Sequence, residues 1–108
     1  MKEDLLKIIK HFGINTQQRK LAEEIFELQE QISIYEQVHD WDSNDYFMGI
    51  VPEKDGISEE LADVIVLLKQ IFYYYKFDEN EIKKLEQNKI NRTLERIESG
   101  YYEKPDNC

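Results

Sequence analysis

The sequence predicts an all-α fold, a four-helix bundle completed by a partner subunit. Three observations carry that expectation. Only 4 Gly and 2 Pro occur in 108 residues, so few positions interrupt a helix. Apolar residues recur at intervals of three and four in four separate segments. Charged residues make up 34% of the chain and hydrophobic residues 41%, the balance of helices with one buried stripe and solvated outer faces. A chain of this length makes one domain. That domain is expected over residues 1–99, with 100–108 a frayed C-terminal tail.

Each helix has its own signals. Leu5, Ile8, Ile9 and Phe12 sit at helical spacing, and Gly13 follows as a C-cap, predicting a first helix over about 2–12. Asn15 or Thr16 can cap a second helix over 16–38. Its stripe of Leu21, Ile25, Leu28, Ile32 and Tyr35 has the alternating spacing of an antiparallel seam. Phe26 and Ile34 fall on its far side. Residues 39–57 are rich in turn formers and read as a long loop with a role of its own. Ser58 caps a third helix over 58–75, and Asp78-Glu79-Asn80-Glu81 resembles a capping box opening a fourth over 79–99. The third helix is apolar on nearly every side between Leu61 and Tyr75. One small chain cannot surround it, so a second subunit is expected to cover part of it.

The net charge of -9 disfavours unassisted binding to nucleic acid or to an anionic membrane surface. The single cysteine, Cys108, excludes an intrachain disulfide and a cysteine-rich metal site. The first ten residues lack the apolar run of a signal peptide, and no segment reaches transmembrane length. A soluble cytoplasmic protein is expected.

Two acidic strings carry the chemistry. Glu23-Glu24-Ile25-Phe26-Glu27 reads E-E-x-x-E, and Glu60-Leu61-Ala62-Asp63 reads E-x-x-D. Residues three and four apart share a helix face, so each string can aim two carboxylates at one point. Like charges that close repel unless a cation sits between them, and a hard divalent ion with oxygen ligands is suited to that position. On a wheel centred on the second-helix stripe, Glu24 lies roughly 60° and Glu27 about 120° to the same side. Asp63 sits one turn inside the most apolar helix, where a buried unpaired carboxylate is costly. The competing reading is ion pairing: Glu24 and Glu27 with Lys20 and nearby basic groups, Asp63 with a Lys or Arg, and Glu59 and Glu60 at a helix N-terminus that favours negative charge. Di-iron bundles use Glu-x-x-His. Here Glu30 and Asp63 stand at the histidine positions, so an all-oxygen site favours Mg²⁺ or Mn²⁺ over iron. Asp40-x-Asp42-x-Asn44 begins like an EF-hand loop but has Asp45 at the glycine position and Val51 at the final acid. That motif is excluded.

At these residues a resemblance enters. E-E-x-x-E on one helix and E-x-x-D on the next resembles the MazG-type all-α nucleoside triphosphate pyrophosphohydrolases. Residues Gln17 to Leu28 are similar to the family's second helix and Glu59 to Val66 to its third. Lys84-x-x-x-Asn88 and Lys89-Ile90-Asn91-Arg92 are similar to its basic, asparagine-bearing last helix. The likeness covers roughly residues 8 to 98; the segment from His39 to Gly56 matches no family pattern. It implies a homodimer or dimer of dimers. It implies Mg²⁺ held by Glu24, Glu27, Glu60 and Asp63, with Glu23 assisting as ligand or base. The expected reaction converts a nucleoside triphosphate into monophosphate and pyrophosphate. Glu23 or Glu24 would orient or deprotonate the attacking water, and metal ions would neutralise developing charge.

Other residues support two readings each. Lys89, Arg92 and Arg96 share a face of the fourth helix and could clamp phosphate, or pair with the excess of acids; Lys84 and Asn88 carry the same choice. Trp41, the only tryptophan, could stack on a base or anchor its loop. Two non-enzymatic alternatives stand beside hydrolysis: a helical protein-interaction module, and a nucleotide-binding protein without turnover.

Overall fold

A single glycine separates the first two helices. Helix α1 spans Lys2–Phe12 and α2 spans Ile14–His39. Gly13 between them has φ 90°, a conformation that costs L side chains energy, and its N–H donates to the Ile9 carbonyl at 2.7 Å. Its own carbonyl accepts from the Gln17 amide at 3.1 Å. The same residue thus closes α1 and opens α2. Asn15 and Thr16, expected as caps, lie inside α2 because Gly13 already occupies the cap position.

A computed structural model of the protein describes residues 1–39 and 54–103. All four expected helices form, and no strand occurs among the described residues. Helix α3 spans Lys54–Tyr74 and α4 spans Glu79–Glu98. The start of α3 corrects the expected cap at Ser58: the helix begins four residues earlier and takes Gly56 into its first turn. A Cβ on Gly56 would stand 2.9 Å from Oε1 at the flexible end of the Gln31 side chain on α2, so the two helices approach closely here. The N-terminus of α4 agrees with expectation. Asp78 Oδ1 accepts from the amides of Asn80 at 2.8 Å and Glu81 at 3.4 Å. No helix among the described residues is long and apolar enough to cross a membrane.

The chain divides into two units, Met1–Tyr75 and Lys76–Cys108. In the first, α2 and α3 run antiparallel and α1 packs on both. The register can be read from three polar positions. Gln17 meets Gln70, Glu24 meets Asp63, and Gln31 meets Gly56. Each step of seven residues along α2 is matched by seven on α3 in the opposite direction, as in an antiparallel coiled coil. Farther out, Gln18 Nε2 donates to Tyr75 Oη at 3.1 Å, and the Lys2 ammonium lies over the Tyr73 ring at 5.6 Å.

This register corrects the seam read from the sequence. Ile25 and Ile32, assigned to the stripe, are exposed, whereas Leu21, Leu28 and Tyr35 are half-buried. The buried residues of α2 are Gln17 and Glu24 instead, with Gln31 half-buried in line with them. Apolar periodicity misplaced it because every seventh residue on the true seam is polar. The hydrophobic core is correspondingly thin: Leu5, Ile9, Val64 and Leu67 are the buried apolar residues among those described. Leu61, Ile65 and Leu68 on α3 remain exposed within the chain.

In the second unit, every described residue of α4 is at least partly exposed, including its apolar face of Ile82, Leu85, Ile90, Leu94 and Ile97. Tyr101–Glu103, read from the sequence as frayed tail, forms a 3-10 turn. Gly100, at φ 75°, makes the bend, and the Arg96 guanidinium stacks 4.8 Å from the Tyr101 ring.

With so few buried apolar side chains, each should matter. Leu67→Ala, at a position only 6% exposed, should destabilise the protein by about 2–5 kcal/mol, measured by urea unfolding. A loss under about 1 kcal/mol would mean that the seam is not packed as described.

Candidate metal centre

The middle polar layer of the α2–α3 seam is acidic. Glu24 comes from α2; Glu60 and Asp63 lie one turn apart on α3. One carboxylate oxygen of each falls within 4.8 Å of the others. The α2–α3 register creates this convergence, and the i, i+3 spacing puts Glu60 and Asp63 on one face.

The structure changes which carboxylate is buried. Asp63, expected inside the apolar helix, is exposed. Glu24 is 7% exposed and Glu60 is half-buried. Glu24 makes an i, i−4 ion pair with Lys20 at 3.6 Å, so the ion-pair reading holds for one of its oxygens. The Lys20 side chain is 54% exposed, which leaves that pair weak. Glu24 Oε2 and Glu60 Oε2 are both buried and meet no hydrogen-bond donor. Ionised carboxylates only accept, so neither can satisfy the other. A proton on Glu60 supplies the missing donor.

The acidity of Glu60 reflects this. A hydrogen bond shared with Glu24, desolvation, and the charges of Glu27, Glu24 and Asp63 push its pKa up from 4.5 to about 7. An all-oxygen cluster with two desolvated, undonated oxygens fits a hard divalent cation: such an ion would give both oxygens a partner and take over the role of the proton.

The remaining site candidates fall in different places. Glu27 is exposed, yet its charge reaches Glu60. Glu23 is exposed and, with Ala22, Phe26 and Glu27, borders a separate depression on α2. Asn88, Lys89 and Arg92 line one shallow depression on α4 with Leu85, while Lys84 lies outside it. These four belong to the second unit. Arg96, on the same sequence-predicted face, stacks on Tyr101. Trp41 lies outside the described residues.

Beside the cluster opens a cavity of about 530 Å3 between α1, α2 and α3, with Glu24 and Asp63 at its border. Its far wall holds a pair that sequence reasoning missed. Gln17 Nε2 donates to Gln70 Oε1 at 2.8 Å, with Gln17 6% and Gln70 2% exposed. The signal available was the seven-residue recurrence of polar residues, 17-24-31 on α2 and 63-70 on α3.

Comparison with known proteins returns no match: no family model, no curated protein and no solved structure is similar to this chain.

The metal-free protein should lose stability as pH rises. The folded state holds a proton on Glu60 up to about pH 7, whereas the ordinary value for a free glutamate side chain is 4.5. This contribution is therefore fully present below about pH 4.5 and is lost as pH rises through about 7. Glu60→Gln keeps a donor to Glu24 without the charge. Its melting temperature should exceed that of the parent at pH 8, with the gap closing towards pH 5. Parallel melting curves across that range would contradict the coupling of Glu60 to its neighbours.

Proposed function

We propose that the protein is a Mg²⁺-dependent hydrolase that cleaves a nucleoside triphosphate to the monophosphate and pyrophosphate, in the manner of the MazG-type enzymes its acidic strings resemble. The observation that carries this reading is the meeting of Glu24, Glu60 and Asp63 across the antiparallel seam, with two buried oxygens that lack a donor. A merely solvated acidic face has no reason to desolvate a carboxylate among other carboxylates. The order of E-E-x-x-E on α2 and E-x-x-D on α3 supports the same reading.

Glu24, Glu60 and Asp63 are the ligands of choice, with the exposed Glu27 closing the site from α2. Bound Mg²⁺ supplies charge neutralisation on phosphate oxygens and lowers the pKa of a coordinated water. Glu24, in the cluster, is better placed than the outward Glu23 to orient that water. Lys20 borders the cavity and can turn its ammonium from Glu24 to phosphate once the carboxylate has a metal partner. Mn²⁺ is an acceptable substitute on the same oxygen donors.

A second copy of the chain is part of this proposal. The exposed Leu61, Ile65 and Leu68 on α3, with Ile25 and Ile32 on α2, give it an apolar surface to cover. Sedimentation should find at least a dimer at micromolar concentration; a monomer there would remove the dimer from the account.

The test of function is a panel of nucleoside triphosphates with Mg²⁺, read as monophosphate and pyrophosphate. Turnover should appear with Mg²⁺ and vanish with chelator. Glu24→Gln should weaken Mg²⁺ binding by roughly 100-fold, since even outer-shell changes cost about 10–100-fold. It should abolish turnover while the protein remains folded. Mg²⁺ binding without turnover of any nucleotide would favour the non-catalytic binding protein. Absence of both would favour an interaction module.

A further inference from the structure

We propose that the cavity beside the acidic cluster is a recognition site for the heteroaromatic base of a nucleotide, with the Gln17–Gln70 amide pair on the hydrogen-bonding edge of that base. The inference rests on the reading of the cluster as the phosphate end of the same site, and adds what occupies the other end.

The cavity has the size of a small-molecule site. Its border changes character from end to end. Lys20, Glu24 and Asp63 form the charged end, Ile8, Val66 and Leu67 give apolar wall, and the two amides form the opposite end. Gln17 is seven residues before Glu24 on α2, about 10 Å along the helix axis. A sugar with its phosphates bridges that kind of gap between a base and a metal-bound phosphate.

The amides are the decisive feature. Two apolar residues would fill those seam positions at little cost, whereas buried amides are costly unless their hydrogen-bonding groups are used. Their mutual bond uses Gln17 Nε2 and Gln70 Oε1. Gln17 Oε1 and Gln70 Nε2, an acceptor and a donor, are not used by that bond and belong to residues that border the cavity. Reversing both amides exchanges the two roles but still presents one acceptor and one donor. Nucleobases display that pattern along their edges, and phosphate, which only accepts, does not. Phe12 on the same cavity border offers a ring for the face of the base.

Nucleosides separate this inference from the hydrolytic one, since they carry no phosphate and need no metal. Saturation-transfer NMR on the full chain in EDTA, with uridine, cytidine, adenosine and guanosine, should show transfer to at least one. N-methylation of that nucleoside's base edge should abolish the transfer, a result that requires no protein variant. Gln17→Met with Gln70→Met keeps volume and removes both amides. Thr16→Trp fills the cavity from its exposed border. Each should weaken nucleoside binding by about 10-fold or more while the Mg²⁺-induced rise in melting temperature persists. No transfer from any of the four nucleosides, or transfer indifferent to edge methylation, overturns the proposal. Nucleoside binding in a protein without Mg²⁺-dependent turnover keeps the base site and removes the hydrolase reading.

Discussion

The unit built from α1, α2 and α3 depends on one unfavourable placement: the Glu24 carboxylate lies on the packed seam between antiparallel helices, facing Glu60 and Asp63. An apolar residue at that heptad position would stabilise the pair of helices. A carboxylate there loses hydration and gains repulsion. Lys20 offsets part of this from the rim, but one exposed ammonium stands against Glu24, Glu27, Glu60 and Asp63. The metal-free chain meets the remaining imbalance with a proton, which is why Glu60 titrates near neutrality. A divalent cation would meet it with more charge and more coordination sites. The same constraint explains the thin core, since three of the central seam positions on α2 are given to polar side chains.

Those polar layers also fix the alignment of the helices. A seam of leucines tolerates sliding by a heptad. A seam with Gln17 opposite Gln70, acid opposite acid, and Gln31 opposite Gly56 has one register in which every layer is matched. The cluster and the neighbouring cavity are therefore consequences of a single alignment. A shift of one heptad would separate Glu24 from Asp63 and Gln17 from Gln70 together.

Much of this was legible in the sequence, for physical reasons. Four helices follow from periodicity and punctuation: Gly13 and Asp78 end and begin helices by backbone and side-chain hydrogen bonds that their residue types make readily. The convergence of Glu24, Glu60 and Asp63 follows from i, i+3 geometry once two helices are set side by side. The rotation of α2 was not legible. Apolar residues at 25 and 32 mimic a seam, and only contact with α3 places Glu24 and the glutamines inside it. For the same reason the burial assigned to Asp63 belongs to Glu24. The approach of Gln31 to Gly56 was hidden because it joins segments distant in sequence.

The central claim, that a cation replaces the proton in the acidic layer, is tested most directly by calorimetric titration of the metal-free protein with Mg²⁺ at pH 7 in buffers of different ionisation enthalpy. The pKa of Glu60, raised to about 7 by Glu24, desolvation and the neighbouring charges, makes that pH the sensitive one. The account predicts binding accompanied by proton release at pH 7 that falls towards zero at pH 9. Binding with no proton release at pH 7 would place the ion away from Glu60, and absence of binding would contradict the metal centre itself.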